Sequence, residues 1–162
     1  MKIKIFSVGG TIDKVYFDSL SQYQVGSPSV REILDGLPVA FEYQIESLLR
    51  KDSLDMDDSD RQMVREAVER ETCRHILITH GTDTMVETGK ALVGISGKCI
   101  VLTGAMEPAH FKSSDAVFNV GVAVGAVISL PDGVYIAMNG RIFDPLKARK
   151  NRERHMFEDL QA

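Results

Sequence analysis

The stretch HILITHGTDTM, residues 75–85, decides the fold, because a compact apolar run passes directly into glycine, hydroxyl and carboxylate side chains. HILIT (75–79) has the pattern of a strand that is covered on both faces. HGTDTM (80–85) therefore lies where that strand should end. KIKIFSV (2–8) and the GGTID that follows it, residues 9–13, repeat this arrangement at the start of the chain. The sequence thus places a threonine behind a glycine just past two predicted strand ends.

Strand-like and helix-like segments alternate along the rest of the chain. Three further strands are predicted, in VAFEYQIES (39–47), CIVLT (99–103) and GVYIAM (133–138). Four helices are predicted, beginning near Ser29, near Asp57 or Asp58, at Met85, and near Ser113 or Ser114. This alternation is typical of α/β proteins. We therefore expect one domain over residues 1–162, a three-layer α/β sandwich whose mostly parallel sheet has helices on both faces.

Three segments need separate interpretation. KVYFDSLSQYQVGSP (14–28) has no sustained period, so we interpret it as a mobile loop or an irregular hairpin. KARKNRER (147–154) is basic but short, and we interpret it as a solvated helix face. AVFNVGVAVGAVISL (116–130) is the most apolar stretch and is too short to cross a bilayer. It is predicted to be a helix packed through Val117, Val120, Val124 and Val127.

Composition and charge limit the classes of partner. Hydrophobic residues make up 44% and charged residues 26% of the chain, and the net charge is -4. An acidic chain without a basic patch argues against nucleic acid as a partner. No secretory signal is recognised in the first residues, and Cys73 and Cys99 are expected to be reduced thiols. We therefore expect a cytoplasmic protein with no nucleic-acid and no membrane partner.

The predicted strand ends are where a ligand should bind. In open α/β sheets, ligands bind beyond the carboxyl ends of the strands, where helices begin and present free N–H groups. Gly9, Gly10 and Gly81 would allow the backbone to turn sharply and approach a ligand. TGAM (103–106) supplies a third glycine-bearing loop at the same edge. Three such loops can enclose a small polar substrate.

A threonine at such an edge can be catalytic or structural. Its hydroxyl is a weak nucleophile that needs a base nearby, and the candidates are Asp83, Lys147 and Lys150. Threonine after glycine is also common as a helix cap or turn former. Spacing alone therefore leaves both roles open.

The acidic and histidine residues form no metal motif. DMDDSD (55–60) has Asp60 where a calcium-binding loop requires glycine, so a helix cap is the better interpretation. The four histidines also lack metal-ligand spacing. We expect no metal ion and no cofactor, and we expect His80 to hold its loop by a hydrogen bond.

Several motifs in their order resemble the bacterial-type L-asparaginase/glutaminase family. They are GGTI (9–12), HGTDTM (80–85), TGAM (103–106) and MNGRIFDPLKARK (138–150). The resemblance is to the N-terminal domain of that family and spans nearly the whole chain. It implies a two-step acyl transfer, in which a hydroxyl attacks a side-chain amide, ammonia leaves, and water cleaves the resulting ester.

The resemblance also implies roles for individual side chains. Thr11 matches the acyl-accepting nucleophile, and Thr82, Asp83 and Lys150 match a Thr–Lys–Asp group. Tyr23 matches an assisting tyrosine on the mobile segment that follows the first motif. These five residues are the catalytic set that the resemblance implies.

A substrate-binding set follows from the same resemblance. Asp83 would hold the substrate ammonium, and Ser53 with nearby N–H groups would hold its carboxylate. The carbonyl of Ala105 would line the site. The complete implied set is Gly10, Ser53, Leu54, Thr82, Asp83 and Ala105.

The chain departs from the family pattern in three respects. Family members usually continue into a C-terminal domain, which we expect to be absent here. Leu54 stands where a glutamine is typical, and small hydroxyl residues usually surround the lysine, where this chain has Arg149, Asn151 and Arg152. These charges can either replace missing contacts or disturb the lysine.

The sequence leaves competing hypotheses about function. The first is an amidohydrolase that deamidates L-asparagine or a related small amide through a threonine acyl-enzyme and releases ammonia. The second is a catalytically weak or inactive amino-acid-binding module of the same fold. A third is a subunit whose missing half is supplied by a separate chain. We expect a homo-oligomer, because most soluble oligomers are symmetric.

Overall fold

The computed structural model of the protein describes residues 1–160, in which strands and helices alternate as the sequence predicts. The strands are β1 (Lys2–Gly9), β2 (Lys14–Phe17), β3 (Gln22–Val25), β4 (Glu42–Lys51), β5 (His75–Thr79), β6 (Cys99–Thr103), β7 (Gly133–Met138), β8 (Arg141–Phe143), β9 (Ala148–Asn151) and β10 (Met156–Asp159). The helices are α1 (Val30–Asp35), α2 (Asp58–Arg70), α3 (Met85–Leu92) and α4 (Ala116–Ser129).

A six-stranded sheet in the order β4-β1-β5-β6-β7-β8 forms the centre of the protein. The first five strands in this order pair in parallel, and β8 pairs with β7 in the antiparallel direction. The carboxyl ends of β1, β5 and β6 therefore meet at one edge of the sheet. This confirms the predicted mostly parallel sheet.

Each face of the sheet carries its own apolar core. Side chains of α2 and α3, including Val64 and Met85, pack against Ile76 and Ile78 on one face. The other face packs α1 and α4 against side chains such as Leu77. Because both faces are covered, the central strands have the continuous apolar runs that the sequence shows. The three-layer arrangement is confirmed.

The edge strand β4 differs from the central strands in pattern. Tyr43 and Ile45 are half-buried against the α1/α4 core, whereas Glu42, Gln44 and Glu46 are exposed. One covered face and one solvated face give the alternation seen in its sequence. The edge position of β4 thus explains why its sequence alternates while the central strands are continuously apolar.

Helix α4 differs from its prediction in its start and in its buried face. It begins after Asp115 rather than after Ser113 or Ser114. Its buried side chains include Val120 and Val127, together with Ala116 and Ala123, whereas Val117 is 51% exposed and Val124 is half-buried. The prediction was wrong for Val117, whereas Val124 packs against the core as predicted. No charged residue marks the solvent side of this helix, so an apolar stripe one position away fits the 3.6-residue period equally well.

The basic segment 147–154 is not a helix, which corrects its predicted conformation. Residues 148–151 form β9, which pairs with β10 in an antiparallel hairpin. Ala148 is buried and Arg149 exposed, so the short-period alternation is that of a strand. Phe157 lies opposite Lys150 in this hairpin and is buried in the α2/α3 core. The core contact of Phe157, rather than helix propensity, determines the conformation here.

Residues 14–28 contain an antiparallel hairpin, so the hairpin alternative of the prediction is correct. Strands β2 and β3 pair with Tyr16 opposite Tyr23.

The two cysteines, Cys73 and Cys99, are free thiols and form no disulfide with each other, as expected. Among residues 1–160, no helix has both the length and the apolar character that crossing a bilayer requires.

The capping box at the start of α2 gives a stability prediction. The Asp57 carboxylate accepts the Asp60 N–H at 3.0 Å, and the Asp60 carboxylate accepts the Asp57 N–H at 3.1 Å. We expect Asp57→Ala to lower the free energy of unfolding, measured in urea, by about 1 kcal/mol because a helix N–H loses its partner. Asp58→Ala is the control, since Asp58 is fully exposed, and we expect it to change stability by less than about 0.5 kcal/mol. Equal losses in both variants would contradict the capping account.

Candidate active site

Loops from four parts of the chain come into close contact at the carboxyl edge of the sheet. A Cβ atom on Gly10 would overlap the backbone of Gly81, and one on Gly104 would overlap the carbonyl oxygen of His80. A Cβ on Gly81 would lie 2.6 Å from the Oγ of Ser53. Only glycine permits such close approach of one loop to the next. The loops after β1, β5 and β6 and the turn after β4 therefore form one surface.

Thr11 lies at the start of a short turn, residues Thr11–Asp13, directly after β1. Gly10 precedes it with φ 90, a conformation that favours glycine, and its N–H donates to the Lys51 carbonyl at 2.9 Å. Thr11 itself is half-buried, while the two residues after it are buried. The chain thus presents the half-buried Thr11 on a short turn that abuts the Gly81 loop.

Lys150 joins the second threonine motif from a distant part of the chain. Its Nζ donates to the Thr82 Oγ1 at 2.8 Å and to the Asp83 Oδ1 at 2.9 Å. Thr82 is buried, and the Lys150 side chain is only 13% exposed. An ammonium group has donors only, so Thr82 accepts this bond and its own proton stays available. The structure therefore brings Thr82, Asp83 and Lys150 together.

Ser53 is buried beside Gly81 with an unsatisfied hydroxyl. It is 1% exposed, and its Oγ has no hydrogen-bond partner among the described residues. Its carbonyl accepts the Thr84 hydroxyl at 2.8 Å, which fixes the turn against the second threonine motif. A buried hydroxyl without a partner is unfavourable, so the group is suited to a polar ligand.

Three other predicted residues have different surroundings. The ring of Tyr23, in β3, lies 5.3 Å from that of Tyr16 and 6.0 Å from that of Phe111. Leu54 is 62% exposed, whereas Ala105 is buried in the core between the sheet and α4. Aromatic contacts therefore hold Tyr23 on its hairpin.

His80 is a neutral structural residue. One ring nitrogen lies 2.7 Å from the Gly81 carbonyl and the other 2.7 Å from the Thr88 Oγ1. A carbonyl can only accept, so Nδ1 carries the proton and Nε2 accepts from the hydroxyl of Thr88. Burial lowers the pKa of His80 to about 4. The expected loop-holding hydrogen bond is confirmed.

Asp13 is a structural carboxyl that the sequence did not reveal. It is fully buried, and its side chain accepts from the Ser7 hydroxyl at 2.9 Å and from the Ser29 N–H at 2.8 Å. Its carbonyl accepts the Gly26 N–H at 2.7 Å. Asp13 therefore connects the Thr11 turn to both β1 and the chain that leaves the hairpin. Its position two residues after Thr11 was visible, but the contact with Ser29 depends on the fold.

An ion pair ties the hairpin to the turn that holds Ser53. The Lys14 Nζ donates to the Asp52 carboxylate at 2.7 Å. Burial acts to raise the pKa of Asp52, but hydrogen bonds from Lys14 and the Leu54 N–H and the charge of Lys150 outweigh it, and the pKa is lowered. The base of the hairpin is thus fixed by the hydrogen bonds of Asp13 and by the ion pair between Lys14 and Asp52.

The three polar residues around Lys150 point in different directions. Arg149 contacts Glu158 at 2.6 Å, and Asn151 donates to the same carboxylate at 3.3 Å. Arg152 instead places its Nε 3.3 Å from the Asp83 Oδ1, which also accepts from Lys150. Of the three, only Arg152 therefore touches the Thr82–Asp83–Lys150 group.

Two open cavities lie next to these residues. One of about 290 Å³ is lined by Asp83, Lys150 and Arg152 with parts of α3. Another of about 720 Å³ lies between the hairpin and α1 and is lined partly by Arg50. Within residues 1–160, no three His, Cys, Asp or Glu side chains converge so as to hold a metal ion. The expectation of a site without metal or cofactor stays a prediction.

Comparison with known proteins gives one consistent result. The family described as "Asparaginase, N-terminal" matches residues 2–159. A probable periplasmic L-asparaginase of Haemophilus influenzae is 33% identical over 153 residues, 86% of this chain and 43% of that protein. The thermostable L-asparaginase from Thermococcus kodakarensis superposes with a TM-score of 0.84 at 26% identity, over 98% of this chain and 51% of that one. A probable cytoplasmic L-asparaginase from Campylobacter jejuni does so with a TM-score of 0.71 at 30% identity, over 92% and 48%. The chain spans about half the length of these relatives.

Burial of Asp13 makes the stability of the protein depend on pH. Desolvation raises its pKa from 3.8 to about 6, against the opposing hydrogen bonds from Ser29 and Ser7. The folded state then binds the Asp13 proton more tightly than the unfolded state, so this contribution to stability is lost as pH rises from about 4 to 6. Asp13→Asn removes this titration, and its amide can keep both hydrogen bonds.

We therefore expect Asp13→Asn to gain stability relative to the parent protein as pH rises through that window. Two pKa units correspond to on the order of 3 kcal/mol. Urea unfolding between pH 4 and 7.5 measures the difference. Asp18→Asn is the control, because Asp18 is exposed on the same segment. A difference for Asp13→Asn that does not vary with pH would show that the carboxyl titrates normally.

Proposed function

Because this chain belongs to the asparaginase family, whose N-terminal domain it matches over residues 2–159, we propose that it hydrolyses the side-chain amide of L-asparagine or a related small amide. The reaction proceeds through an acyl ester on Thr11. One observation carries the proposal: the Lys150 ammonium lies 2.8 Å from the Thr82 hydroxyl, on a loop in backbone contact with the Thr11 loop.

In the first step, the Thr11 Oγ1 attacks the amide carbon and the C–N bond breaks. Once its ammonium has given up a proton, Lys150 acts as the base through the hydroxyl of Thr82, and the proton taken from Thr11 passes on to the departing ammonia. In the second step, water attacks the ester carbon and the ester C–O bond breaks. The water proton returns to the Thr11 oxygen, which regenerates the enzyme. The N–H groups of the glycine-bearing loops stabilise the oxyanion in both steps.

The substrate is held by groups of opposite charge. L-Asparagine is a zwitterion, so its site needs both an anion and hydrogen-bond donors. Asp83 binds the ammonium, and the unsatisfied hydroxyl of Ser53 binds the carboxylate. Gly10, Leu54 and the carbonyl of Ala105 line the remaining space.

The hairpin of β2 and β3 acts as a lid. Closure over the bound amide excludes water and brings Tyr23 to the reacting group, as mobile segments do in many enzymes. Asp13 and Lys14 fix the base of this hairpin, so its motion is confined to the outer part. Tyr23 then exchanges its aromatic contacts for contacts with the substrate.

A second candidate function is an amino-acid-binding module with little or no turnover. The observation that favours it is the position of Tyr23, which is 49% exposed and packed against Tyr16 and Phe111. If closure never releases Tyr23 from these rings, the site binds its ligand without efficient acyl transfer.

The cell compartment, the homo-oligomeric state and the absence of nucleic-acid and membrane partners stay predictions. One relative is named periplasmic and another cytoplasmic. Our cytoplasmic prediction therefore agrees with the name of the second and differs from that of the first.

Substitution of the two proposed catalytic residues tests hydrolysis directly. We expect Thr11→Ala to lower kcat/KM for ammonia release from L-asparagine by at least about 10³-fold. Lys150→Met should lower it by about 10²- to 10⁴-fold, because the base is removed. Lys147→Met is the control, since Lys147 is exposed on the neighbouring turn, and it should retain parental activity.

The outcome separates the two candidate functions. If the parent protein releases ammonia from asparagine, glutamine and short amides no faster than Thr11→Ala does, the proposed hydrolysis is excluded. Calorimetry that then shows binding of L-aspartate would support the binding module.

A further inference from the structure

An exposed arginine reaches the carboxylate that the proposed reaction assigns to the substrate ammonium. The Nε of Arg152 lies 3.3 Å from the Asp83 Oδ1, and the Lys150 Nζ donates to the same oxygen at 2.9 Å. Asp83 is therefore already flanked by two cations. A third cation that approached this carboxylate would meet repulsion from both.

The surroundings of Arg152 do not neutralise it through another acid. Within residues 1–160, its recorded ion pair is the one with Asp83. The adjoining cavity of about 290 Å³ has four basic and two acidic side chains in its lining: Lys90, Arg149, Lys150 and Arg152 with Asp83 and Glu87. Arg149 is engaged by Glu158, so of these basic side chains Lys150 and Arg152 are the two that form ion pairs with Asp83.

Lys150 and Arg152 differ in exposure and in the number of contacts that each side chain makes. The Lys150 side chain is 13% exposed and also donates to the Thr82 hydroxyl, so its removal would disrupt the Thr82–Asp83–Lys150 group. Arg152 is 68% exposed and contacts Asp83 at the rim of the site. Removal of the Arg152 side chain therefore changes the charge beside Asp83 without opening the core.

We propose that Arg152 determines substrate specificity by competing with the substrate ammonium for Asp83. The inference rests on the proposed function, in which Asp83 faces that ammonium. Arg152 lowers the advantage of amides that carry a free α-ammonium over amides that lack one. The substrate class is thereby widened toward small amides whose α-position is uncharged.

The size of the change in substrate preference is limited because the Arg152 side chain is 68% exposed. A pair between exposed side chains contributes about 0.2–1 kcal/mol, and salt screens it further. The predicted change in preference is therefore several-fold rather than a switch. Conversion of that range gives about a 1.4- to fivefold change in the ratio of two substrates.

The test compares L-asparagine with succinamate, which has the same amide and carboxylate but no α-ammonium. We expect Arg152→Ala to raise the ratio of kcat/KM for asparagine to that for succinamate by about 1.4- to fivefold at low salt. Arg152→Lys should keep the parental ratio, because the charge remains. Arg149→Ala, which removes an equal charge paired with Glu158, is the matched control and should also leave the ratio unchanged.

Binding provides a second readout that does not depend on catalysis. The ratio of Kd values for L-aspartate and succinate, measured by calorimetry, should shift with Arg152→Ala in the same direction as the turnover ratio. High salt should bring the parent protein closer to the variant. A binding shift without turnover in any variant would remove the proposed hydrolysis and leave the role of Arg152 standing.

Three results would overturn the proposal. One is a ratio that Arg152→Ala leaves unchanged in both turnover and binding. Another is an equal shift in Arg149→Ala, which would indicate a general effect of surface charge. The third is the failure of aspartate and succinate to bind any of the variants.

Discussion

The backbone contact between the Gly10 and Gly81 loops is the constraint on which the rest of the site depends. Any side chain at either glycine would collide with the neighbouring loop or with Ser53. Because the parallel strands β1 and β5 are adjacent, their ends already lie side by side, and the glycines reduce the remaining separation to van der Waals contact. Thr11 and Thr82 each follow one of these glycines. Their positions at one surface are thus a consequence of sheet topology and of missing side chains.

The positive charge of Lys150 comes to this surface from the C-terminal part of the chain. Lys150 is 68 residues from Thr82, and it reaches the hydroxyl because β9 pairs with β10, whose Phe157 is buried in the core. The packing of one phenylalanine therefore supports a polar contact on the opposite strand. The same hairpin supplies Arg152, so the lysine that serves the proposed chemistry and the arginine that competes for Asp83 arrive together. Local charge at Asp83 is set by this hairpin as a unit.

Much of this architecture could be predicted from the sequence, for identifiable reasons. Strands covered on both faces leave continuous apolar runs, and HGTDTM after such a run placed Thr82 and Asp83 at a strand end. The conformation of 147–154 could not be predicted, because the strand there depends on the burial of the neighbouring Phe157 against core side chains remote in sequence, such as Ile76. The hydrogen bond from the Ser29 N–H to the Asp13 carboxylate could not be predicted either, because it forms only when the hairpin returns the chain to Asp13. Contacts between residues remote in sequence account for these failures.

A crystal structure of the protein with bound L-aspartate, the product of the proposed reaction, tests the central claim most directly. We predict that the side-chain carboxylate of aspartate lies between the hydroxyls of Thr11 and Thr82. Its ammonium should face Asp83, and the hydroxyl of Ser53 should donate to its α-carboxylate. Aspartate bound elsewhere, or hydroxyls of Thr11 and Thr82 that face separate spaces in the complex, would contradict the account.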